Sequence, residues 1–295
     1  MRDSNRSTTA GHTGRQTVFL HIGMSKAGSS AIQQSLVANT SVLADAGFCY
    51  PEIGNWGSAH HKILHELREG GSEELLARAL EEAQNKKAVI LSCEGFWLIQ
   101  DETIERLCHA FSGYDVQVIL YLRRPSDYLP SSYRQSIKRD GETCTPAVYW
   151  RRGPSWPQLN YSNFLERWGS RFPIRVRAYE AVKHEIEEDF MRAIGAPLQH
   201  VDTRRRVANT TPTDGVLRLM LMANRYLPEA VSKWVRRWVQ KPDWRLDFLP
   251  AIEDDVLCEQ AKTVIGRWDM DVMREYVPDD DLESLLADRS AVSNS

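Results

Sequence analysis

TVFLHIGMSKAGSSAIQQSL occupies residues 17–36 of a 295-residue chain. It opens on a short apolar run, Val18, Phe19 and Leu20, of the length of a buried strand. The run breaks at Gly23 and Gly28 with Lys26 between them. Ser29 and Ser30 follow as N-cap candidates for a helix that carries Ile32 and Leu36 inward. Strand, glycine-containing loop and capped helix make a site for phosphate. Amides of the loop and of the helix N-terminus point at an anion, the hydroxyls donate, and Lys26 adds a full charge. In the ATP-binding pattern GxxxxGK[ST] the lysine follows the second glycine, whereas here Lys26 precedes Gly28. The loop is P-loop-like without being a Walker motif.

Working outward, AVILS at residues 88–92 reads as a second strand, with Cys93 and Glu94 just past its end. A helix over residues 101–110 then crosses to a third strand, VQVILYL at 116–122. Strand–helix–strand with a helix of that length is a βαβ unit, so the expected sheet is parallel with right-handed crossovers. Near-continuous apolar strands fit a sheet covered on both faces. The expected fold is therefore α/β: a central parallel sheet, a P-loop-like strand–loop–helix, and helices on both faces. In such sheets ligands sit beyond the carboxyl ends of the strands, and residues 23–30, Glu94 and Arg123 all fall at that edge.

The segment YLRRPSDYLPSSYRQSIKRD, residues 121–140, carries a second anion site. Arg123 closes the strand, Pro125 starts a helix, and Ser131 stands eight residues beyond Arg123 on that helix, which continues through Tyr133, Gln135 and Lys138. An arginine fork beside a hydroxyl is a phosphate clamp separate from the glycine loop. Ser132 is adjacent, and the spacing favours Ser131. Arg124 is sent the other way by strand alternation, toward solvent or a carboxylate. Two phosphate sites at one sheet edge imply a ligand with two separated phosphates.

A K-x-G-[ST]-[ST] loop after one strand and R-x-P after another, with serine eight residues past the arginine, resembles the sulfotransferases that use 3′-phosphoadenosine 5′-phosphosulfate (PAPS). More narrowly, HIGMSKAGSSAIQ and ILYLRRPSDYLPSSYRQSIK are similar to bacterial members whose loop reads near HIGxHKTGTTSIQ. The resemblance spans residues 17–224 and takes in the strand IRVRAYE and the helix DFMRAIG. It implies that Lys26, Ala27, Gly28, Ser29 and Ser30 hold the 5′-phosphosulfate end of the donor. Arg123 and Ser131 would hold the 3′-phosphate, and no metal would take part. It also implies a basic segment closing over the 3′-phosphate and adenine, which here is the run Arg204, Arg205 and Arg206, with Arg205 and Arg206 as the candidates.

Sulfuryl transfer needs in-line positioning and neutralisation of charge on the leaving phosphate, and Lys26 suits the second task. The acceptor hydroxyl needs a base. Glu94 stands where the resemblance places one, and beside Phe96 and Trp97 its pKa is expected to rise. His60 and His61 compete for the role because a histidine titrates near neutrality, although two neighbours point in different directions. His21, on the loop strand, is expected to be structural.

A chain of this length supports a large core in one or two domains, and 42% hydrophobic with 26% charged residues is ordinary for a globular protein. The expected layout is a disordered leader at 1–16, one domain at 17–285 and a flexible tail at 286–295, with Asp279, Asp280 and Asp281 in the fraying end. With a net charge of −3 nothing global argues for nucleic acid or an anionic membrane, and no nucleic-acid partner is expected, so an anion site must be a local concentration of basic residues. Five scattered cysteines without CxxC spacing read as reduced thiols of a cytoplasmic protein with no zinc site. No apolar run approaches the roughly 20 residues of a membrane-spanning helix. Trp234, Arg236, Arg237 and Trp238 suggest an interfacial helix, yet core or substrate-pocket tryptophans are the preferred reading, with no stable membrane insertion. YWRRGPSWP at 149–157 has the composition of a substrate-facing loop, or of a surface loop anchored by Trp150 and Trp156.

The expected activity is sulfonation of a hydroxyl on a small-molecule or carbohydrate acceptor. Rival readings are a nucleotide-dependent kinase with a degenerate P-loop and a non-catalytic nucleotide-binding module. Neither acceptor identity nor oligomeric state is legible in the chain.

Overall fold

The computed structural model describes residues 14–153, 157–198, 212–239, 246, 248–253 and 255–287. Five strands, β1 (Thr17–His21), β2 (Phe48–Cys49), β3 (Ala88–Ser92), β4 (Asp115–Leu122) and β5 (Ile174–Ala178), form one sheet in the order β2-β3-β1-β4-β5, and every adjacent pair is parallel. The α/β fold with helices over both faces is as the apolar strands require. All five residues of β3 are buried, as are Val18 and Leu20 of β1 and residues 118–122 of β4. The connections diverge at β1, which has β3 on one side and β4 on the other. The carboxyl ends of these three strands therefore flank a crevice at the switch point.

Several segments depart from the sequence reading for identifiable reasons. The chain from the loop to Gly47, whose glycine the sequence offers as the end of one helix, holds two, Ser29–Ala38 and Thr40–Asp45, interrupted at Asn39, whose side-chain amide donates to the Ser35 carbonyl at 2.8 Å. The Asp-rich segment does not fray: Asp279–Leu286 is a helix locked onto the end of β5. Buried Asp281 accepts the Ala178 amide at 2.9 Å and pairs with Arg177 Nε at 3.1 Å. Arg177 also pairs with Asp189 at 2.8 Å, and Asp189 accepts the Tyr121 hydroxyl at 2.8 Å. Buried carboxylates with this many partners are anchored.

The tryptophans of the Glu229–Val239 helix are not in the core. Trp234 and Trp238 are 61% and 43% exposed and stack on each other at 5.7 Å. Tyr149 and Trp150 belong to a helix, Pro146–Arg152, where Tyr149 is buried with its ring 5.1 Å from that of Tyr133. Trp156 lies outside the described residues. Among the described residues no helix is long and apolar enough to cross a membrane, and all five cysteines are free.

Candidate active site

The phosphate loop joins β1 to the Ser29–Ala38 helix, and two of its residues take left-handed backbone: Lys26 at φ 68° and Gly28 at φ 81°. Gly28, not a serine, is the N-cap. A Cβ there would stand 2.3 Å from Ile186 Cδ1 and 3.0 Å from Tyr179 Cε2, so both conformation and packing demand glycine. Gly28→Ala is expected to cost about 1–3 kcal/mol, read as a lower urea midpoint at unchanged slope. Lys26 carries an uncommon backbone conformation for a long side chain, of the kind held at ligand sites.

The Gly28 carbonyl accepts the amides of Ala31 and Ile32 at 2.9 and 3.2 Å, which closes the first helical turn. The amides of Lys26, Gly28, Ser29 and Ser30 find no acceptor among the described residues. They are the orphan donors that make a helix N-terminus an anion site. Buried Ser29 spends its hydroxyl on the Met24 carbonyl at 3.1 Å, shaping the loop and leaving only its amide for a ligand. Ser30 is exposed, and Ala27 is buried beneath the loop.

Arg123, 97 residues away in sequence, supports the loop. Its Nη1 donates to the Lys26 carbonyl at 2.8 Å and to Ser131 Oγ at 3.2 Å. Its Nε lies 3.7 Å from Glu180 and its guanidinium 5.5 Å from the Tyr179 ring centroid. The arginine and serine read as one clamp are thus in contact. Arg124 turns away, its Nε donating to the Ser284 carbonyl at 2.8 Å and its Nη1 reaching Asp127 at 3.4 Å.

A cleft of about 440 Å³ opens beside the loop. Lys26, Gly28, Ser29 and Ser30 line it together with Glu94, His61, the turn from Trp56 to Ala59, and Gln135, Lys138 and Arg139. Burial pushes the Glu94 carboxyl above its ordinary range, while Lys26 and Arg139 pull it back. Burial holds the Lys26 ammonium down to about 8, helped by Lys138, Arg139 and Arg123 and opposed by Glu94. Phe96 and Trp97 belong to the core, with Trp97 stacked on Phe164 at 4.1 Å. Gln135 and Lys138 were readable only as a continuation of the helix. The missed signal is that Ser131, Gln135, Lys138 and Arg139 recur at i, i+4, i+7 and i+8, one face of the Pro125–Arg139 helix.

No family model matches this chain, and no curated protein does. Among solved structures, a sulfotransferase from Alicyclobacillus acidocaldarius is similar, with a TM-score of 0.43 and 17% identity over 73% of this chain and 98% of that one. A chain from the PezAT chromosomal toxin–antitoxin system of Streptococcus pneumoniae is more distant, with a TM-score of 0.29 and 13% identity over 61% of this chain and 84% of that one. At these similarities neither transfers a residue's role.

The histidine pair separates cleanly. His60 is fully buried and does not line the cleft. Its Nδ1 accepts the Ser92 amide at 3.1 Å, its Nε2 donates to the Pro51 carbonyl at 3.1 Å, and Tyr50 packs edge-on at 4.8 Å. With both nitrogens engaged by backbone, His60 has no lone pair for a base, which corrects its place among the catalytic candidates. Burial holds its imidazole down to about 4. The folded state therefore binds fewer protons than the unfolded state between pH 4 and 6.5. The stability this neutral ring contributes is complete above about 6.5 and is lost as pH falls toward 4. Urea midpoints are expected to fall over that window, and less steeply in His60→Gln.

His21 is also structural, as expected, buried with Nδ1 2.8 Å from Ser92 Oγ. His61 does line the cleft, with Nδ1 3.2 Å from Cys93 Sγ. Burial pushes the Cys93 thiol up to about 11, so it stays protonated beside the His61 ring. Arg205 and Arg206, with Arg204, lie outside the described residues.

Proposed function

We propose that this chain is a sulfotransferase that moves the sulfuryl group of PAPS to a hydroxyl of a small-molecule or carbohydrate acceptor. The observation that carries this reading is the sharing of one cleft by Lys26 and Glu94, over a loop with four unengaged amides that Arg123, bonded to Ser131, braces at the Lys26 carbonyl. The bound donor supplies a sulfuryl group on a good leaving phosphate. The loop amides, the Ser30 hydroxyl and Lys26 hold its phosphosulfate end; Arg123 and Ser131 hold its 3′-phosphate, with Arg205 and Arg206 as further candidates.

Glu94, as carboxylate, takes the proton of the acceptor hydroxyl while that oxygen bonds to sulfur. The bond from sulfur to the phosphate oxygen breaks, and its electron pair stays on that oxygen. Lys26 and the loop amides stabilise the charge arriving there, where the interaction is stronger in the transition state than before it. Adenosine 3′,5′-bisphosphate and the sulfate ester leave. Glu94 is preferred to His61 as base because it shares the cleft with Lys26 closely enough for the two charges to act on each other.

Calorimetric titration with adenosine 3′,5′-bisphosphate and with adenosine 5′-monophosphate tests the two-phosphate clamp. The bisphosphate is expected to bind about a hundredfold more tightly. Ser131→Ala should remove about tenfold of that advantage and leave the monophosphate unchanged. Equal binding of the two nucleotides would overturn the clamp. Ser131 is the residue to change because Arg123 also holds the Lys26 carbonyl.

A further inference from the structure

Lys26, Lys138 and Arg139 bring three cations to one cleft of a chain whose net charge is −3. None of the three side chains has a hydrogen bond or ion pair among the described residues. Their repulsion registers on each other: Lys138 and Arg139 help hold the Lys26 ammonium down, and Arg139 does the same to Lys138. Among the described residues that line the cleft, Glu94 is the single carboxylate. Like charges gathered without partners in a half-enclosed site are costly until an anion joins them.

On the sulfotransferase reading, the donor accounts for only one of these cations. Its phosphosulfate end falls to the loop amides and Lys26. Its 3′-phosphate falls to Arg123 and Ser131, which are not among the residues lining the cleft, so that phosphate does not call on Lys138 or Arg139. Lys138 and Arg139 remain, lining the same space as the base, and Arg139 lies near enough to act on the Glu94 charge. Trp56 completes the cleft. It is 73% exposed yet fixed by an antiparallel bridge to Ala59, with its amide 2.8 Å from the Ala59 carbonyl. An exposed indole on a fixed backbone at the rim of the cleft offers a face to a ring, and the neutral polar groups of Ser58 and Gln135 nearby suit hydroxyls.

We propose that the acceptor is an anionic sugar, a pyranose bearing a carboxylate or sulfate ester, with its charge held by Lys138 and Arg139 and its ring against Trp56. This rests on the sulfotransferase reading of the same cleft. A neutral phenol or aliphatic alcohol would leave two cations unanswered.

The test uses the full chain saturated with adenosine 3′,5′-bisphosphate. Methyl β-D-glucuronide, glucose 6-sulfate and methyl β-D-glucoside are titrated by NMR into wild type and into the double variant Lys138→Gln/Arg139→Gln. At least one anionic sugar is expected to bind about tenfold more tightly than the glucoside. Which of the two does so tells carboxylate from sulfate ester. The double variant should reduce the preference below about twofold while bisphosphate affinity moves less than about threefold. Trp56→Ala should weaken all bound sugars alike and leave the preference intact. Equal binding of charged and neutral sugars, no sugar binding, or a preference that survives the double variant would overturn the proposal. Failure of wild type to bind the bisphosphate would instead remove the sulfotransferase reading beneath it. Lys138 is half-buried and Arg139 exposed, so glutamine at both positions leaves the core untouched.

Discussion

Lys26→Met is expected to lower kcat/KM for sulfuryl transfer by about 10²- to 10³-fold, the usual cost of removing one preorganised group that stabilises developing charge. Methionine keeps the stem length and the backbone carbonyl that Arg123 holds at 2.8 Å, so the loop is preserved and the charge alone is lost. The same ammonium sets an alkaline limit. It must be protonated to act, and burial with neighbouring cations holds it down to about 8, so kcat/KM should fall above that pH. Bound phosphosulfate favours the charged form, so the corresponding limb of kcat should move to higher pH. Near-normal turnover by the Lys26→Met enzyme would remove Lys26 from the chemistry.

Glu94→Gln is expected to lower kcat by about 10²- to 10⁴-fold, the range for loss of a positioned general base. Nucleotide binding should be unchanged or slightly tighter, because a negative charge leaves the cleft. Burial raises the Glu94 carboxyl, so wild-type activity should climb with pH through a value above the ordinary carboxylate range. The glutamine enzyme should lack that limb. Stability runs the opposite way. A raised folded pKa favours the protonated state, and that contribution is lost as pH rises through it, so at neutral pH the variant should be at least as stable as wild type. Retention of full activity in Glu94→Gln would make His61 the base.

Much of this architecture is written locally. The apolar run Val18–Leu20, the loop glycines and the helical spacing of Ile32 and Leu36 fix strand, turn and helix within twenty residues, since each is a short-range preference. Arg123 and Ser131 were legible because one strand end and two helical turns place them together. The sequence points to a serine N-cap because serine is the commoner cap, and only the packing of Ile186 and Tyr179 shows why glycine is required there. His60 and His61 are alike in sequence. What separates them is the Ser92 amide on β3, 32 residues away, which captures one ring and leaves the other in the cleft.

Asp281 looks like a fraying end in sequence because its partners, the amide of Ala178 and the guanidinium of Arg177, are about a hundred residues earlier. Lys138 and Arg139 needed the helix face to be aimed at something before their charge had meaning. Contacts of long sequence separation are what local patterns do not encode, and the His60 and Asp281 corrections fall there.

The central claim is that the loop and the Arg123–Ser131 pair form a site for adenosine 3′,5′-bisphosphate, not for a nucleoside triphosphate with magnesium. Thermal unfolding of the full chain with each ligand at equal concentration measures this directly. The bisphosphate is predicted to raise Tm by about 3–8 °C and ATP–Mg by less than about 1 °C. A larger shift with ATP–Mg than with the bisphosphate would contradict the account.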